Sequence, residues 1–157
     1  MRIRTSHRRM VAGAVTVAVA TSLGIGLMTG PAQAGDDDGR DVLHAKLTGA
    51  AEVPGPGDSD GRGKARVYGE SAEPDIICVD LRVRDIDRAT AAHIHKAPVG
   101  VAAPFVVTLT APIGGRSRAC AVSTAVLVAD ILANPQDYYV NVHNADFPAG
   151  AVRGQLR

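Results

Sequence analysis

The segment DIICVDLRVRDI, residues 75–86, most constrains what this chain can fold into. Nearly every second residue is apolar, and most of the residues between are charged. Side chains of a β-strand point alternately to its two faces, so this pattern predicts a strand with one face on a core and one in water. The apolar face carries Ile77, Val79, Leu81 and Val83, and the opposite face carries Cys78, Asp80, Arg82 and Arg84.

Short segments rich in Val and Ile, separated by turns rich in Gly, Pro and Asp, continue to the end of the chain. This texture is typical of β proteins. One helix is predicted near 124–133, capped by Ser123 or Thr124 and stopped by Asn134-Pro135. The predicted helix carries Val126, Leu127, Ile131 and Leu132. Further strands are predicted at 42–47, 64–70, 91–95, 103–112, 138–143 and 151–156, with 118–123 as one more.

Seven or eight strands with at most one short helix predict an all-β fold. The strand spacing favours an antiparallel β-sandwich, Greek-key or immunoglobulin-like, or a barrel like that of superoxide dismutase. The predicted domain spans residues 42–157.

The N-terminus has the three parts of a secretory signal peptide. Arginines open the chain, residues 10–28 are apolar and uncharged, and Ala32-Gln33-Ala34 fits a cleavage site. We therefore expect residues 1–34 to be removed after Ala34 and the protein to be extracellular, by the general secretory or the twin-arginine route. The alternative is an N-terminal membrane anchor. Residues 35–41 are predicted to be a disordered acidic linker.

Cleavage leaves 123 residues and changes the charge. Residues 1–34 contain four of the 17 basic residues and no acidic residue. The mature chain therefore has 13 basic and 16 acidic residues, a net charge of −3. This balance predicts no basic patch for a polyanion and no nucleic-acid partner. No later stretch is apolar enough to be a transmembrane segment.

Two cysteines remain in the mature chain. Outside the cytoplasm thiols tend to be oxidised, and one pair allows one intramolecular bond, so we predict a disulfide between Cys78 and Cys120. The alternative is two free buried cysteines. Because Cys78 lies on the polar side of its strand, the bond is expected to link neighbouring strands across a sheet surface instead of the core.

The segment AAHIHKAP carries two histidines with one residue between them. His93 and His95 share one side of a strand, with Cα atoms roughly 6.6 Å apart. If the strand YYVNVH is their neighbour, His143 joins them, and three imidazoles with an open position suit zinc or copper. Asn141 shares the face of His143 and is a candidate hydrogen-bond partner for a ligand. The alternative is a set of hydrogen-bonding surface histidines, the role expected of the isolated His44.

The last strand places Arg153 and Gln155 on one side. They are expected to bond a neighbouring loop, or else to line a ligand site. No catalytic residue is predicted, because the mature chain contains no H-E-x-x-H, C-x-x-C, nucleophile-elbow or phosphate-loop motif. The GDSDG stretch at 57–61 departs from both serine-protease and calcium-loop patterns and is predicted to be a solvated loop.

Three ordered motifs together resemble the CHRD domain family, named after chordin. They are LTGAAEVP with the loop after it, AAHIHKAPVGVAAPFVVTL, and YYVNVHNADFPAGAVRGQL. The sequence departs from the family pattern at Lys96 and Ala103, where glycine is common. The resemblance covers about residues 43–157 and implies an extracellular β-sandwich module of the single-domain secreted bacterial type. It does not carry growth-factor binding over, because in chordin-like proteins other modules are credited with it.

We therefore expect a secreted, non-enzymatic binding or structural module with a histidine metal site and an extracellular partner. One alternative is a copper-dependent oxidoreductase, because the H-x-H strand and a later histidine are similar to superoxide dismutase. Those enzymes use more histidines than the four in the mature chain. The other alternative is a surface or matrix protein that associates with itself.

Overall fold

The computed structural model describes residues 41–157, all within one structural unit. The predicted signal peptide and residues 35–40 of the predicted linker lie outside the described residues. The described part contains eight strands, one α-helix, and 3₁₀ turns at Gly49–Ala51 and Pro135–Asp137. The strands are β1 Leu43–Thr48, β2 Arg62–Glu70, β3 Glu73–Arg84, β4 Ala89–Lys96, β5 Phe105–Leu109, β6 Arg116–Val122, β7 Tyr138–Asn144 and β8 Val152–Gln155, and the helix is α1 Ala125–Ala133.

All eight strands form one antiparallel sheet in the order β5-β4-β7-β8-β1-β2-β3-β6. The two edge strands, β5 and β6, approach each other without pairing, so the sheet is nearly closed. With β5 beside β6, strands β4 to β7 follow Greek-key order. The prediction of an all-β antiparallel fold with one short helix is confirmed, and the sheet is close to a barrel.

The core lies on the inner face of this curved sheet and follows the predicted alternation. Ile77, Val79, Leu81 and Val83 of β3 are buried, whereas Arg82 and Arg84 are exposed. Small aliphatic side chains dominate the core, and burying each Val, Leu or Ile contributes about 1.5–3 kcal/mol. On β4 and β7 the core takes Ala92, Ile94, Val140 and Val142. The residues between them therefore face outward.

Helix α1 begins after Thr124, whose hydroxyl accepts a hydrogen bond from the Leu127 amide at 3.1 Å. It ends before Pro135, as predicted. The helix packs against β2 and β3 and adds Val128 and Ile131 to the core. Val126 lies in the helix as predicted, but its side chain is 81% exposed and does not join the core.

Cys78 and Cys120 form a disulfide, which confirms the predicted pairing. They are direct cross-strand partners in β3 and β6. Cys78 is buried, but neither cysteine belongs to the hydrophobic core cluster. The bond therefore joins neighbouring strands on the side of the sheet away from the core.

The outer face of β1, β2, β3 and β6 carries most of the positive charge, and we call it the basic face. Nine of the 13 basic residues that follow Ala34 lie on it. The prediction that no basic patch remains is wrong, because net charge averages over a surface on which cations are segregated. The basic face comprises Lys46, Arg62, Lys64, Arg66, Arg82, Arg84, Arg116, Arg118 and Arg157.

Candidate metal site

Strands β4 and β7 bring the three predicted histidines together on the outer side of the sheet. The register pairs His93 with Asn141 and Ala91 with His143, so His143 is the diagonal neighbour of His93. His95 lies two residues further along β4 on the same side. Residues next to these histidines in sequence, such as Ile94 and Val142, point into the core. Because side chains alternate between the two faces of β4 and β7, all three histidines lie on the outer face.

The imidazoles are within reach of a common point. His93 Nδ1 lies 3.0 Å from His143 Nε2. One nitrogen from each of His93, His95 and His143 can be chosen so that all three lie within 4.8 Å of one another. Within the described residues, no carboxylate or cysteine belongs to this group. His44 lies on β1, exposed and outside the cluster.

Two backbone carbonyls orient two of the rings. His95 Nδ1 donates to the Ala103 carbonyl at 2.7 Å, and His143 Nδ1 donates to the Pro148 carbonyl at 3.0 Å. A carbonyl can only accept, so each Nδ1 must carry the proton, and a neutral ring then keeps its lone pair on Nε2. This outer hydrogen bond is the one that metal-ligating histidines make in proteins.

Asn141 adds a further contact to His95. Its side chain is buried, and Oδ1 lies 3.0 Å from His95 Nε2. With Nδ1 already donating, this contact is a hydrogen bond when the amide is turned so that its NH₂ donates to Nε2. Asn141 then fixes the ring plane of His95.

Aromatic side chains flank the cluster. Phe105 stacks on His93, with ring centroids 4.6 Å apart and planes at 15°. Tyr139 stacks on His95 at 4.5 Å and 7°, and the Arg153 guanidinium carbon lies 3.4 Å from the Tyr139 ring centroid. These contacts were not predicted, because they depend on which strands pair. Phe105 and Tyr139 are both register partners of His95.

Arg153 and Gln155 lie beside the histidine cluster without joining it. Arg153 donates from Nη2 to the Pro98 carbonyl at 3.1 Å. Gln155 donates from Nε2 to the Ala97 carbonyl at 2.9 Å and to the Gln136 carbonyl at 2.8 Å. They bond the loop 97–104, which supplies the carbonyl that orients His95. A neighbouring-loop contact was one of the two roles predicted for them.

Glu52 is a buried carboxyl near Arg153 that sequence reasoning did not single out. Its side chain is 5% exposed, and its Oε1 has no hydrogen-bond partner among the described residues. Burial raises the pKa of Glu52 from 4.5 to about 7, although the charge of Arg153 opposes the shift. Gly150 makes room for it, because a Cβ there would lie 2.4 Å from the carboxyl group, and its φ is +148°.

The electrostatics of the cluster favour neutral rings. Burial, followed by the charges of His143 and His95, lowers the pKa of His93 from 6.5 to about 4. Burial also lowers the pKa of His143. At neutral pH both rings are therefore uncharged, with one nitrogen lone pair each, which is the state that binds metal ions.

The fold and this cluster together define an all-β, Greek-key module with three histidines on its outer face. The family model for the CHRD domain matches residues 43–156. The chain belongs to the CHRD domain family, as its motifs indicated. No curated protein and no solved structure matches it. Among the described residues, no helix has the length and apolar character needed to cross a membrane.

Proposed function

We propose that this protein is a secreted CHRD-domain module that binds one zinc or copper ion through His93, His95 and His143. One observation carries the proposal. Two of the three rings donate Nδ1–H to backbone carbonyls, which leaves Nε2 as the ligand atom of each, and an ion would replace the contacts that these nitrogens now make with Asn141 and His93. Holding the three rings in place costs conformational entropy. Such an arrangement is typical of metal ligands that are oriented before the ion binds.

The nitrogen separations fit an ion after a small contraction. Zinc–imidazole bonds of roughly 2.0–2.1 Å in tetrahedral geometry place ligand nitrogens about 3.3 Å apart. His93 and His143 are already at 3.0 Å, and no pair need exceed 4.8 Å. Binding would replace the His93–His143 hydrogen bond, because both nitrogens would then face the ion. Three ligands leave a position open, and imidazole suits both zinc and copper.

Export is supported by two independent features. The disulfide between Cys78 and Cys120 is the kind of bond that persists in oxidising compartments. The first 34 residues have the pattern of a cleaved signal peptide. We infer that the protein acts outside the cell as a binding or structural module.

Isothermal titration of metal-stripped protein with Zn²⁺ and Cu²⁺ tests the site. We expect one tight equivalent in the parent and a loss of more than about 100-fold in affinity for His143→Ala, since replacing even a partner of a ligand costs 10–100-fold. His44→Ala is the matched control, because it removes an exposed histidine outside the cluster. Equal affinities of the two variants would rule the site out.

A copper-dependent oxidoreductase is the second candidate. It is favoured by the partial exposure of His93 and His143, through which a small substrate could reach an ion held by the three histidines. Copper-loaded protein assayed for superoxide dismutation separates the two candidates. A binding module shows no turnover above that of the His143→Ala variant, whereas an enzyme loses its activity with that substitution.

A further inference from the structure

Cations on the basic face are aligned in direct register across four strands. Lys46 of β1 is opposite Lys64 of β2, Lys64 is opposite Arg82 of β3, and Arg82 is opposite Arg116 of β6. Four cations therefore form one row, which spans roughly 14 Å at the usual strand spacing. Side chains directly opposite each other on a sheet are close neighbours, so this row is repulsive in the folded protein.

The adjacent rows repeat the pattern. Arg62 is opposite Arg84 on one side of the central row. On the other side Arg66 and Arg118 flank Asp80. Within the described residues, the only ion pairs of the basic face join Asp80 to Arg82 and Arg118, and Asp85 to Arg84. In the described part of the chain, two carboxylates therefore pair with three of the nine cations.

Folding alone does not account for this arrangement. Solvent-facing strand positions accept neutral residues, and opposite-charge pairs would stabilise the sheet where like charges destabilise it. Acidic residues outnumber basic ones after Ala34, so neutralising partners were available in the composition. A surface that concentrates charges of one sign attracts ligands of the opposite charge, and it indicates a binding site for one.

The shape of the basic face narrows the class of ligand. It holds two adjoining depressions of about 370 and 500 Å³ that share Lys46, Lys64 and Arg82. Together they make a trough, which suits a chain better than the flat surface of a membrane. No Phe, Tyr or Trp lines either depression. Proteins that bind single-stranded nucleic acid stack bases on such side chains, so a single-stranded nucleic acid is disfavoured.

We propose that the basic face binds a linear anionic polysaccharide. Arginine provides most of its cations, and the guanidinium fork matches sulfate and carboxylate groups with two parallel hydrogen bonds. The binding is ionic, independent of the three histidines, and weakened by salt through counterion release. It gives the module an attachment to an extracellular matrix or cell surface that does not depend on metal.

The test titrates four probes into the metal-stripped full chain: heparin, alginate, duplex DNA and phosphatidylglycerol vesicles. Lys64→Gln/Arg82→Gln removes the centre of the row. Arg88→Gln/Lys96→Gln removes the same charge from exposed positions outside the basic face. We expect tight binding of heparin or alginate, about tenfold weaker for the first variant, with a shallower salt dependence. The second variant should match the parent.

Heparin and alginate distinguish sulfate from carboxylate recognition. Arg116→Gln, at the sheet edge, should weaken binding in the same direction and provides a test even if the double variant is less stable. The proposal fails if the two double variants lose affinity equally. It also fails if DNA or vesicles bind as tightly as the better polysaccharide.

Discussion

Single residues in the site act through their neighbours. The ring of His95 contacts the Ala103 carbonyl, the Asn141 amide and the face of Tyr139. Three contacts of different kinds leave this ring little rotational freedom. A ring that is already fixed loses less conformational entropy when it binds a metal ion. The contacts that orient His95 are therefore expected to contribute to metal affinity.

Glu52 should make stability fall with rising pH. Its pKa is about 7 in the folded protein and ordinarily 4.5, so the folded state binds the proton more tightly. Stability is then lost as pH rises between these values, by up to about 3 kcal/mol. Glu52→Gln cannot ionise and should remove this slope. Urea unfolding at pH 5 and pH 8, with the exposed Glu73→Gln as control, measures it. Identical slopes for parent and Glu52→Gln would contradict the account.

The cluster should hold metal at a lower pH than ordinary histidines do. The pKa of His93 is lowered to about 4 and that of His143 is also lowered, so protons compete weakly. We expect zinc affinity to fall less between about pH 7.5 and 6 than it would at a site made of ordinary histidines. A peptide of residues 91–98, with histidines near pKa 6.5, should lose binding earlier. The account would be contradicted if the zinc affinities of the protein and the peptide fell over the same pH range.

At the scale of elements, alternation and capping could be predicted and pairing could not. The strand patterns, the helix and the Cys78–Cys120 bond follow from residues close in sequence or from a single available pairing. Strand order depends on the whole sheet. Phe105, Tyr139 and the row through Lys64 and Arg82 acquire their roles only from cross-strand register. Basic residues at alternate positions in 64–66 and 82–84 could have indicated this row. The net charge of the mature chain did not reveal it, because it sums over the whole surface.

Helix α1 depends on one side-chain cap. Thr124 caps the Leu127 amide, whereas the adjacent Ser123 precedes the helix. Thr124→Ala should therefore lower the free energy of unfolding by about 1 kcal/mol. Ser123→Ala should change it by less than about 0.5 kcal/mol. Thermal or urea unfolding of the two variants measures the difference, and a larger loss for Ser123→Ala would show that the cap is assigned to the wrong residue.

At the scale of the whole molecule, the outer face of one sheet carries two separate chemistries. Three histidines lie over β4 and β7, and the basic face lies over β1, β2, β3 and β6. Strand β8 lies between the two regions, and the core beneath both consists mainly of small aliphatic side chains. We infer that metal binding and polysaccharide binding can be removed one at a time.

The most direct test of the central claim is anomalous diffraction from crystals of the metal-loaded protein. Data collected on either side of the zinc or copper absorption edge locate the ion independently of any activity. We predict one anomalous peak within about 2.3 Å of a nitrogen of each of His93, His95 and His143. A cluster without a peak, or a peak bound only at other residues, would contradict the account.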